Sequence, residues 1–269
     1  MPVKLEEIVA AVRSRLVEAK STANMAGLET RAAAHSPRGF RCALVEAART
    51  RVAVIAELKK ASPSRGLIRS PFHVAGIANQ LETAGAVALS VLTEEDYFQG
   101  SLANLCEASA ATDMPCLRKD FIVDEFQLLE ARANRADAVL LIVAALSQAE
   151  LIRLSVRARE LQLDVLCETH DAEEVQRACD AGADIIGVNS RNLRTMSVDL
   201  RTFTDLVAKL PANALRVAES GIRNAEDLQR LRDDGYQAFL IGEQLMSAEM
   251  PGDELKKLIS ATGAAGASR

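Results

Sequence analysis

Short apolar segments rich in Val, Ile, Leu and Ala recur along this chain after roughly the first fifty residues. Segments of this kind are typical of strands that are buried on both faces, as in a parallel sheet. Their spacing of roughly twenty to thirty-five residues matches one strand and one helix per unit. The eight predicted strands cover residues 52–59, 87–92, 115–119, 138–143, 163–168, 185–189, 215–220 and 238–242.

Amphipathic helical patterns occupy the intervals between these strands. Residues 171–181 and 224–233 are two examples, and each is followed by a glycine, Gly182 or Gly235, where a helix C-cap is expected. Such alternation predicts the α/β class, and eight strands indicate closure into a (β/α)₈ TIM barrel. An open doubly wound sheet is the alternative, but the sequence has no G-x-G-x-x-G after the first strand and no P-loop motif.

We expect a single TIM-barrel domain over residues 1–269. Residues 1–50 form an N-terminal helical extension, residues 51–260 form the barrel, and residues 261–269 form a disordered tail. In the extension, apolar residues at helical spacing alternate with Glu and Arg, which predicts an amphipathic helix and not a signal peptide. The tail is rich in Ala, Gly and Ser, which favours fraying.

Composition narrows the functional classes. The chain is 49% hydrophobic and 26% charged, as is typical of a soluble globular protein and not of a membrane protein. A net charge of −5 without a Lys/Arg block predicts no nucleic-acid interface, whereas a local cationic cleft for a small anion stays compatible.

The cysteines indicate a reducing compartment. Five is an odd number, and they are scattered without C-x-x-C spacing or clustered histidines. This pattern predicts unpaired thiols and not a disulfide framework or a zinc site, so we expect a cytoplasmic protein. The five are Cys42, Cys106, Cys116, Cys167 and Cys179.

Polar residues stand at or directly after the ends of the predicted strands. In a barrel these positions converge on the C-terminal face, where active sites of this fold are built. A single one of them is more typical of a salt bridge at a strand end, but lysines and carboxylates at equivalent positions together favour a catalytic ring. The set is Glu57, Lys59, Thr93, Glu94, Lys119, Glu168, Asn189, Glu219, Ser220, Gly242 and Glu243.

Two chemistries fit such a ring. Lysines opposed to carboxylates suit proton transfer, because a low dielectric shifts their pKa values and supplies both an acid and a base. The same lysines suit a Schiff base, so a class I aldolase acting on a phosphosugar is the alternative.

Phosphate binding is suggested by the glycines after the seventh and eighth strands, Gly221 and Gly242. Loops at these positions of a barrel often bind phosphate through backbone N–H groups. The alternative is a tight turn that requires glycine. Ser62, after the first strand, is either a further hydroxyl donor or a turn residue.

Four segments closely resemble the indole-3-glycerol phosphate synthase family: ELKKASPSRG (57–66), LRKDFI (117–122), IGVNSRNL (186–193) and AESGI (218–222). The resemblance implies a TIM barrel whose N-terminal helices cover the mouth. It implies a lyase of tryptophan biosynthesis that converts 1-(2-carboxyphenylamino)-1-deoxyribulose 5-phosphate into indole-3-glycerol phosphate by ring closure, decarboxylation and dehydration. It also implies no cofactor, no metal and only a small-molecule partner, and we expect a monomer or weak homodimer.

The resemblance assigns the proton transfers to four residues. Lys119 corresponds to the general acid that protonates the carbonyl oxygen. Lys59 corresponds to the lysine that holds the substrate carboxylate and is a candidate acid for dehydration. Glu168 corresponds to the glutamate that removes a proton or stabilises the cationic nitrogen, and Glu57 is the rival base.

The resemblance assigns binding roles to the others. Asn189 and Glu219 hold the ribulose hydroxyls and the reacting nitrogen, while Ser220 contacts the substrate chain. The implied phosphate ligands are Ser62, Gly221, Gly242 and Glu243, the last through its backbone N–H. The implied walls of the aromatic-ring pocket are Phe98, Phe121 and Leu140, positions that are also typical of core.

Two further residues complete the expectations. Arg191 is expected to support the site by bracing Glu219 or a neighbouring carboxylate, because a planar guanidinium suits bidentate pairing. His170, which follows a strand end, is expected to cap the next helix. A phosphosugar-binding relative without activity stays an alternative to an enzyme.

Overall fold

A computed structural model describes residues 5–192 and 197–265 and contains a closed eight-stranded barrel. The barrel order is β1-β10-β9-β8-β7-β6-β5-β4, all parallel, with β4 paired back to β1, while β2 and β3 form a small antiparallel hairpin after β1. The (β/α)₈ prediction is confirmed and the open sheet is excluded. In chain order the strands are β1 (Ala53–Leu58), β2 (Ala61–Ser62), β3 (Gly66–Leu67), β4 (Ala88–Leu92), β5 (Cys116–Lys119), β6 (Ala138–Ile142), β7 (Asp164–Thr169), β8 (Ile185–Asn189), β9 (Leu215–Glu219) and β10 (Ala238–Ile241).

Twelve α-helices lie in the described ranges. They are α1 (Leu5–Thr22), α2 (Met25–Ala34), α3 (Phe40–Ala48), α4 (Val74–Thr83), α5 (Leu102–Ala111), α6 (Glu125–Ala133), α7 (Gln148–Glu160), α8 (Ala172–Asp180), α9 (Arg201–Val207), α10 (Ala225–Asp233), α11 (Glu243–Ser247) and α12 (Pro251–Ala265). Gly182 and Gly235 follow α8 and α10 with φ of 72° and 106°, as predicted for C-caps. None of these helices is long and apolar enough to cross a membrane.

The end of the chain differs in part from the expected disordered tail. Helix α12 continues to Ala265, so residues 261–265 are helical, and residues 266–269 lie outside the described residues. Ala has the highest helix propensity, which favours extending a helix through this Ala-rich segment.

Helix α1 is fastened to the mouth of the barrel by charged pairs. Arg15 contacts Glu94 at 2.8 Å in the loop after β4, and Lys20 contacts Asp124 at 2.8 Å in the loop after β5. Its apolar positions, including Leu5, Ile8, Val12 and Leu16, are buried beneath it. The predicted N-terminal helical extension therefore contacts the end of the barrel where the strand-end polar groups lie.

Residues 35–40 of the extension lie at the opposite end of the barrel, near the start of β6. Asp137, which is fully buried just before β6, accepts hydrogen bonds from the backbone N–H of Cys116 at 2.6 Å and from Arg38 Nη2 at 2.6 Å. His35 Nε2 lies 3.2 Å from the same carboxylate. In α3, Phe40 is fully buried. His35 and Arg38 thus tie the extension to the N-terminal end of β6.

Candidate active site

A cavity of about 350 Å³ opens at the C-terminal ends of the barrel strands. It brings together fifteen residues that were predicted from the sequence to belong to the site, whose roles stay predictions. These are Glu57, Lys59, Ser62, Phe98, Lys119, Phe121, Leu140, Glu168, Asn189, Arg191, Glu219, Ser220, Gly221, Gly242 and Glu243. Arg65 and Arg223, for which the sequence analysis assigned no role, also line it.

Glu57 and Lys59 form one ion pair of the site. They are two residues apart along the first strand and its extension, so they share a face, and Lys59 Nζ lies 2.6 Å from Glu57 Oε1. The neighbouring strand leaves space for this carboxylate, because a Cβ at Gly242 would lie 2.3 Å from Glu57 Oε1. Gly242 therefore allows the close approach of Glu57, in addition to its place in the predicted phosphate loop.

Lys119 lies at the centre of the site, at the end of β5. Its Nζ is 3.0 Å from Glu168 Oε2 and 3.5 Å from Glu219 Oε2. Burial alone would lower the pKa of Lys119, but the charges of Glu168, Glu219 and Glu57 outweigh burial and raise it above its ordinary value. Lys119 is therefore an ammonium at neutral pH and has a proton to donate.

The two carboxyls beside Lys119 differ in protonation. Burial would raise the pKa of Glu168, but the charges of Lys119 and His170 outweigh it and lower this pKa, with a further contribution from a hydrogen bond to Asn189. For Glu219, burial raises the pKa to about 8, opposed by Lys119 and reinforced by the charge of Glu168. Near neutral pH Glu168 is therefore a carboxylate and Glu219 holds a proton, so one is a base and the other an acid.

The space that Glu219 occupies depends on Gly187 in β8. In the register of the sheet Gly187 pairs with Glu168, and Asn189 pairs with Glu219. A Cβ on Gly187 would lie 2.1 Å from Glu219 Oε1 and 3.2 Å from Leu166 Cδ1. The sequence analysis missed Gly187, although a glycine inside an apolar strand is a signal of close approach.

The predicted phosphate end of the cavity has an unusual backbone. Ser220 and Gly221 both adopt left-handed conformations, with φ of 68° and 76°. A side chain at Gly221 would collide with Leu200, since its Cβ would lie 2.6 Å from Leu200 Cδ2. Glu243 begins α11, whose first backbone N–H groups have no partner within the helix. The geometry therefore supplies free N–H donors beside glycines, as anion binding requires.

Two arginines hold the carboxylate of Glu243 at the rim. Arg191 Nη2 lies 3.5 Å from Glu243 Oε2, and Arg65 Nε lies 3.6 Å from Glu243 Oε1. Of the two partners expected for Arg191, the structure shows the neighbouring carboxylate and not Glu219. The positive charge of both arginines offsets the repulsion that Glu243 would exert on a bound anion.

The apolar side of the cavity contains two aromatic rings. The ring centroids of Phe98 and Phe121 lie 6.2 Å apart with a tilt of 39°, and Leu140 completes this wall. Tilted rings at this separation are a favourable arrangement for packing against a further aromatic ring.

Two strand-end residues from the predicted ring do not line the cavity. Thr93 donates a hydrogen bond from Oγ1 to Asp120 at 2.6 Å. Glu94 accepts a hydrogen bond from the backbone N–H of Tyr97 at 2.7 Å and pairs with Arg15. Glu94 thus shapes the loop after β4 and holds α1, and Thr93 ties this loop to the one after β5, which corrects their assignment to the catalytic ring.

The prediction that His170 caps the next helix is wrong. The N-cap of α8 is Asp171, whose side chain accepts a hydrogen bond from the backbone N–H of Glu174 at 2.9 Å. His170 instead lies behind the site, with Nε2 3.6 Å from Glu168 Oε1. Within the described ranges no group of three or more His, Cys, Asp or Glu side chains has the arrangement of a metal site.

Solved structures show the same fold in proteins of low sequence identity. A thiamine phosphate pyrophosphorylase from Pyrococcus furiosus is 18% identical with a TM-score of 0.59, over 80% of this chain and 98% of that chain. A mandelate oxidase mutant with a C4a-OH-FMN adduct is 17% identical with a TM-score of 0.61, over 89% of this chain and 93% of that chain. At these identities the likeness concerns the fold alone.

Comparison of sequences, unlike the likeness of folds, identifies the family of this chain. The protein named indole-3-glycerol phosphate synthase from Koribacter versatilis (strain Ellin345) is 56% identical over 255 residues, which cover 95% of this chain and 98% of that protein. The family model described as indole-3-glycerol phosphate synthase matches residues 5–258. The match spans the N-terminal helices, every barrel strand and the cavity described above. The chain belongs to the indole-3-glycerol phosphate synthase family.

Proposed function

We propose that two groups of residues catalyse the reaction for which this family is named. One is the Lys119 cluster, which consists of Lys119, Glu168 and Glu219, and the other is the Glu57–Lys59 pair. The chain catalyses formation of indole-3-glycerol phosphate from 1-(2-carboxyphenylamino)-1-deoxyribulose 5-phosphate, a carboxy-lyase reaction of tryptophan biosynthesis. The aryl carbon that bears the carboxylate attacks the ribulose carbonyl, carbon dioxide then leaves, and loss of water completes the indole. The roles of individual residues are our proposal.

Lys119 is the general acid of ring closure. As the new carbon–carbon bond forms, the electron pair of the carbonyl moves to oxygen, and Lys119 delivers a proton to that oxygen. The carboxylate of Glu168 at 3.0 Å supports this role, since its charge keeps the amine protonated until substrate arrives. A positioned acid of this kind typically contributes about 10²–10⁴-fold to the rate.

Glu168 is the base of the later steps, in preference to Glu57. Dehydration needs a proton removed from the carbon next to nitrogen as the hydroxyl leaves with a proton. Glu168 is 1% exposed, has a lowered pKa and lies 3.0 Å from Lys119, the acid of ring closure, whereas Glu57 pairs with Lys59 at 2.6 Å. Lys59 in turn is the cation available for the substrate carboxylate and for the departing hydroxyl. Glu219, protonated near neutral pH, and Asn189 hold the ribulose hydroxyls and the reacting nitrogen.

The ends of the cavity match the two ends of the substrate. The phosphate binds to Ser62, Gly221, Gly242 and the backbone N–H of Glu243, and Ser220 contacts the chain that leads to it. The anthranilate ring packs against Phe98, Phe121 and Leu140. Phosphate and ring therefore fix the substrate at both ends, with its carbonyl beside Lys119, and such positioning lowers the entropy cost of ring closure.

The raised pKa of Lys119 argues against the alternative class I aldolase, because a Schiff base forms from a free amine. Borohydride reduction with a phosphosugar tests this directly. We expect no adduct on Lys59 or Lys119, and a trapped adduct would support the aldolase.

Indole fluorescence on mixing protein with the carboxyphenylamino-deoxyribulose phosphate tests the proposal, and no tryptophan of the protein masks it. We expect Lys119→Ala to lower kcat by about 10²–10⁴-fold, while Lys257→Ala, an exposed lysine on α12, leaves it unchanged. A folded Lys119→Ala protein with undiminished turnover would remove Lys119 as the acid. Binding of substrate without product in the wild type would instead indicate a non-catalytic relative.

We also propose that the protein acts in the cytoplasm as a monomer or weak homodimer. The five cysteines are all free thiols, which supports a reducing compartment. Sedimentation velocity over a range of protein concentrations tests the oligomeric state, and a stable larger assembly would contradict it.

A further inference from the structure

His170 is held in one orientation directly behind Glu168. Its ring Nδ1 lies 3.1 Å from Glu174 Oε2, and the same oxygen accepts the backbone N–H of His170 at 2.8 Å. Its Nε2 lies 3.6 Å from Glu168 Oε1 and is buried. The imidazole therefore lies between two carboxylates, one on α8 and one in the active site.

This geometry determines the protonation of the ring. A neutral imidazole has one N–H and one lone pair, so one ring nitrogen would direct a lone pair at a carboxylate. Protonation of both nitrogens removes that repulsion and gives each carboxylate a positive neighbour. Burial would lower the pKa of His170, but Glu174 and Glu168 outweigh it and raise this pKa.

Glu168 thus has two cations, and only one of them reacts. Lys119 lies 3.0 Å from Glu168 Oε2 and lines the cavity, whereas His170 lies 3.6 Å from Glu168 Oε1 and does not line it. When Lys119 donates its proton, Glu168 loses the charge of its nearer partner. A buried carboxylate without a cation takes up a proton and ceases to be a base.

We propose that His170 is a positioning residue for the reaction, a permanent imidazolium, fixed by Glu174, that keeps Glu168 ionised after Lys119 has given up its proton. The proposal rests on the proposed function, in which Lys119 is the acid and Glu168 the base. The other groups that face Glu168 are Asn189 on β8, Glu219 on β9 and, at longer range, Glu57 on β1. Asn189 is uncharged, and Glu219 and Glu57 are acidic residues, so none of these three can serve as a substitute cation.

The first test is the pH profile of kcat for His170→Asn. We call the fall of kcat toward low pH, where Glu168 takes up a proton, the acid limb of the profile. Without the imidazolium the pKa of Glu168 rises, so the acid limb moves to higher pH. If the limb moves by about one pH unit, kcat at pH values below the limb falls about tenfold. At pH values above the limb, kcat returns toward the wild-type value. Glu174→Gln, which keeps a hydrogen-bond acceptor but removes the charge, should move the limb in the same direction by less. His73→Asn, an exposed histidine preceding α4, is the matched control and should leave the profile unchanged.

The second test needs no substrate. The chain contains three histidines, so proton NMR can follow each ring, with His170→Asn and His73→Asn giving the assignments. We expect His170 to titrate above the ordinary histidine pKa of about 6.5. Titration at or below about pH 6.5 would overturn the proposal.

The two tests separate the inference from the proposed function. A wild type that forms no indole-3-glycerol phosphate contradicts the proposed function. An active wild type whose acid limb is unchanged in His170→Asn, whether kcat falls evenly at all pH values or does not fall, contradicts only the role of His170. If His170→Asn fails to fold, the acid limb of the Glu174→Gln pH profile decides the question.

Discussion

Gly187→Ala provides a strong test of how the barrel positions its catalytic groups. The added methyl group would lie 2.1 Å from Glu219 Oε1, a separation at which real Cβ atoms are essentially never found, and reaching 3.0 Å requires a displacement of at least 0.9 Å. The atom that must move is the end of a flexible side chain that accepts no hydrogen bond from the described residues. The carboxyl group therefore yields more easily than the backbone.

The expected effect on activity follows from that displacement. A misplacement of about 1 Å in a catalytic site can cost about 10²-fold in rate, which corresponds to about 2.7 kcal/mol of transition-state stabilisation. Stability should change little, because Ala is favoured over Gly in a strand by up to about 1 kcal/mol, which offsets the crowding. We expect kcat/KM to fall by about 10²-fold while the thermal midpoint moves by less than about 4 °C.

The assay compares Gly187→Ala with Gly76→Ala by indole fluorescence and thermal unfolding. Gly76 lies in α4, and a Cβ there would have its nearest neighbour, His73 Cβ, at 4.0 Å, so this control should retain full activity. Glu219→Gln alone should also lower kcat/KM, and the double variant should lose little more, because both changes act on one group. Gly187→Ala with kcat/KM within twofold of wild type, or losses that simply add, would refute the reasoning.

Three further predictions concern charge, the barrel floor and the aromatic wall. Because the pKa of Glu219 rises from 4.5 to about 8, the folded protein keeps a proton that the unfolded chain loses. As the pH rises from about 5 to about 9, the free energy of unfolding of Glu219→Gln should therefore increase relative to that of wild type. Urea denaturation at both pH values measures this, and the same difference in free energy of unfolding at both would contradict it. Asp137→Ala leaves Arg38 and the N–H of Cys116 without their buried acceptor. It should lower the free energy of unfolding by about 3–5 kcal/mol and leave kcat unchanged. A loss below about 1 kcal/mol would mean that this network contributes little to stability. Phe98→Ala removes one ring of the aromatic wall and should raise KM about 2- to 10-fold, as expected for an aromatic pair, and an unchanged KM would remove Phe98 from the substrate pocket.

The barrel strands could be predicted from the sequence because their signal is local. Each strand is buried on both faces, so apolar residues run without a break until a polar side chain reaches the cavity. The predicted bounds of all eight barrel strands agree with the structure to within one residue at each end, and for β8 (Ile185–Asn189) they are identical. The short β2–β3 hairpin was not predicted, because two residues per strand are too few to show a periodic hydrophobic pattern.

Contacts between distant strands could not be predicted in this way. That Arg191 pairs with Glu243 depends on how the loops after β8 and β10 meet. His170 was assigned to a helix cap because it precedes α8, yet its ring is drawn to Glu174 and Glu168. In both cases the residue type allowed several partners, and the closed barrel determines which of them lie within reach.

The different protonation of Glu168 and Glu219 follows from counting cations within reach of each carboxyl group. Among the described residues, Glu57 pairs with Lys59, and Glu168 has Lys119 at 3.0 Å and His170 at 3.6 Å, whereas Glu219 has only a share of Lys119 at 3.5 Å. A third buried negative charge without its own cation is unfavourable, so Glu219 keeps its proton. The site therefore works between the ionisation of Glu168 and that of Glu219. At the level of sequence both are a glutamate at the end of a strand, so only the positions of the surrounding cations make one a base and the other an acid.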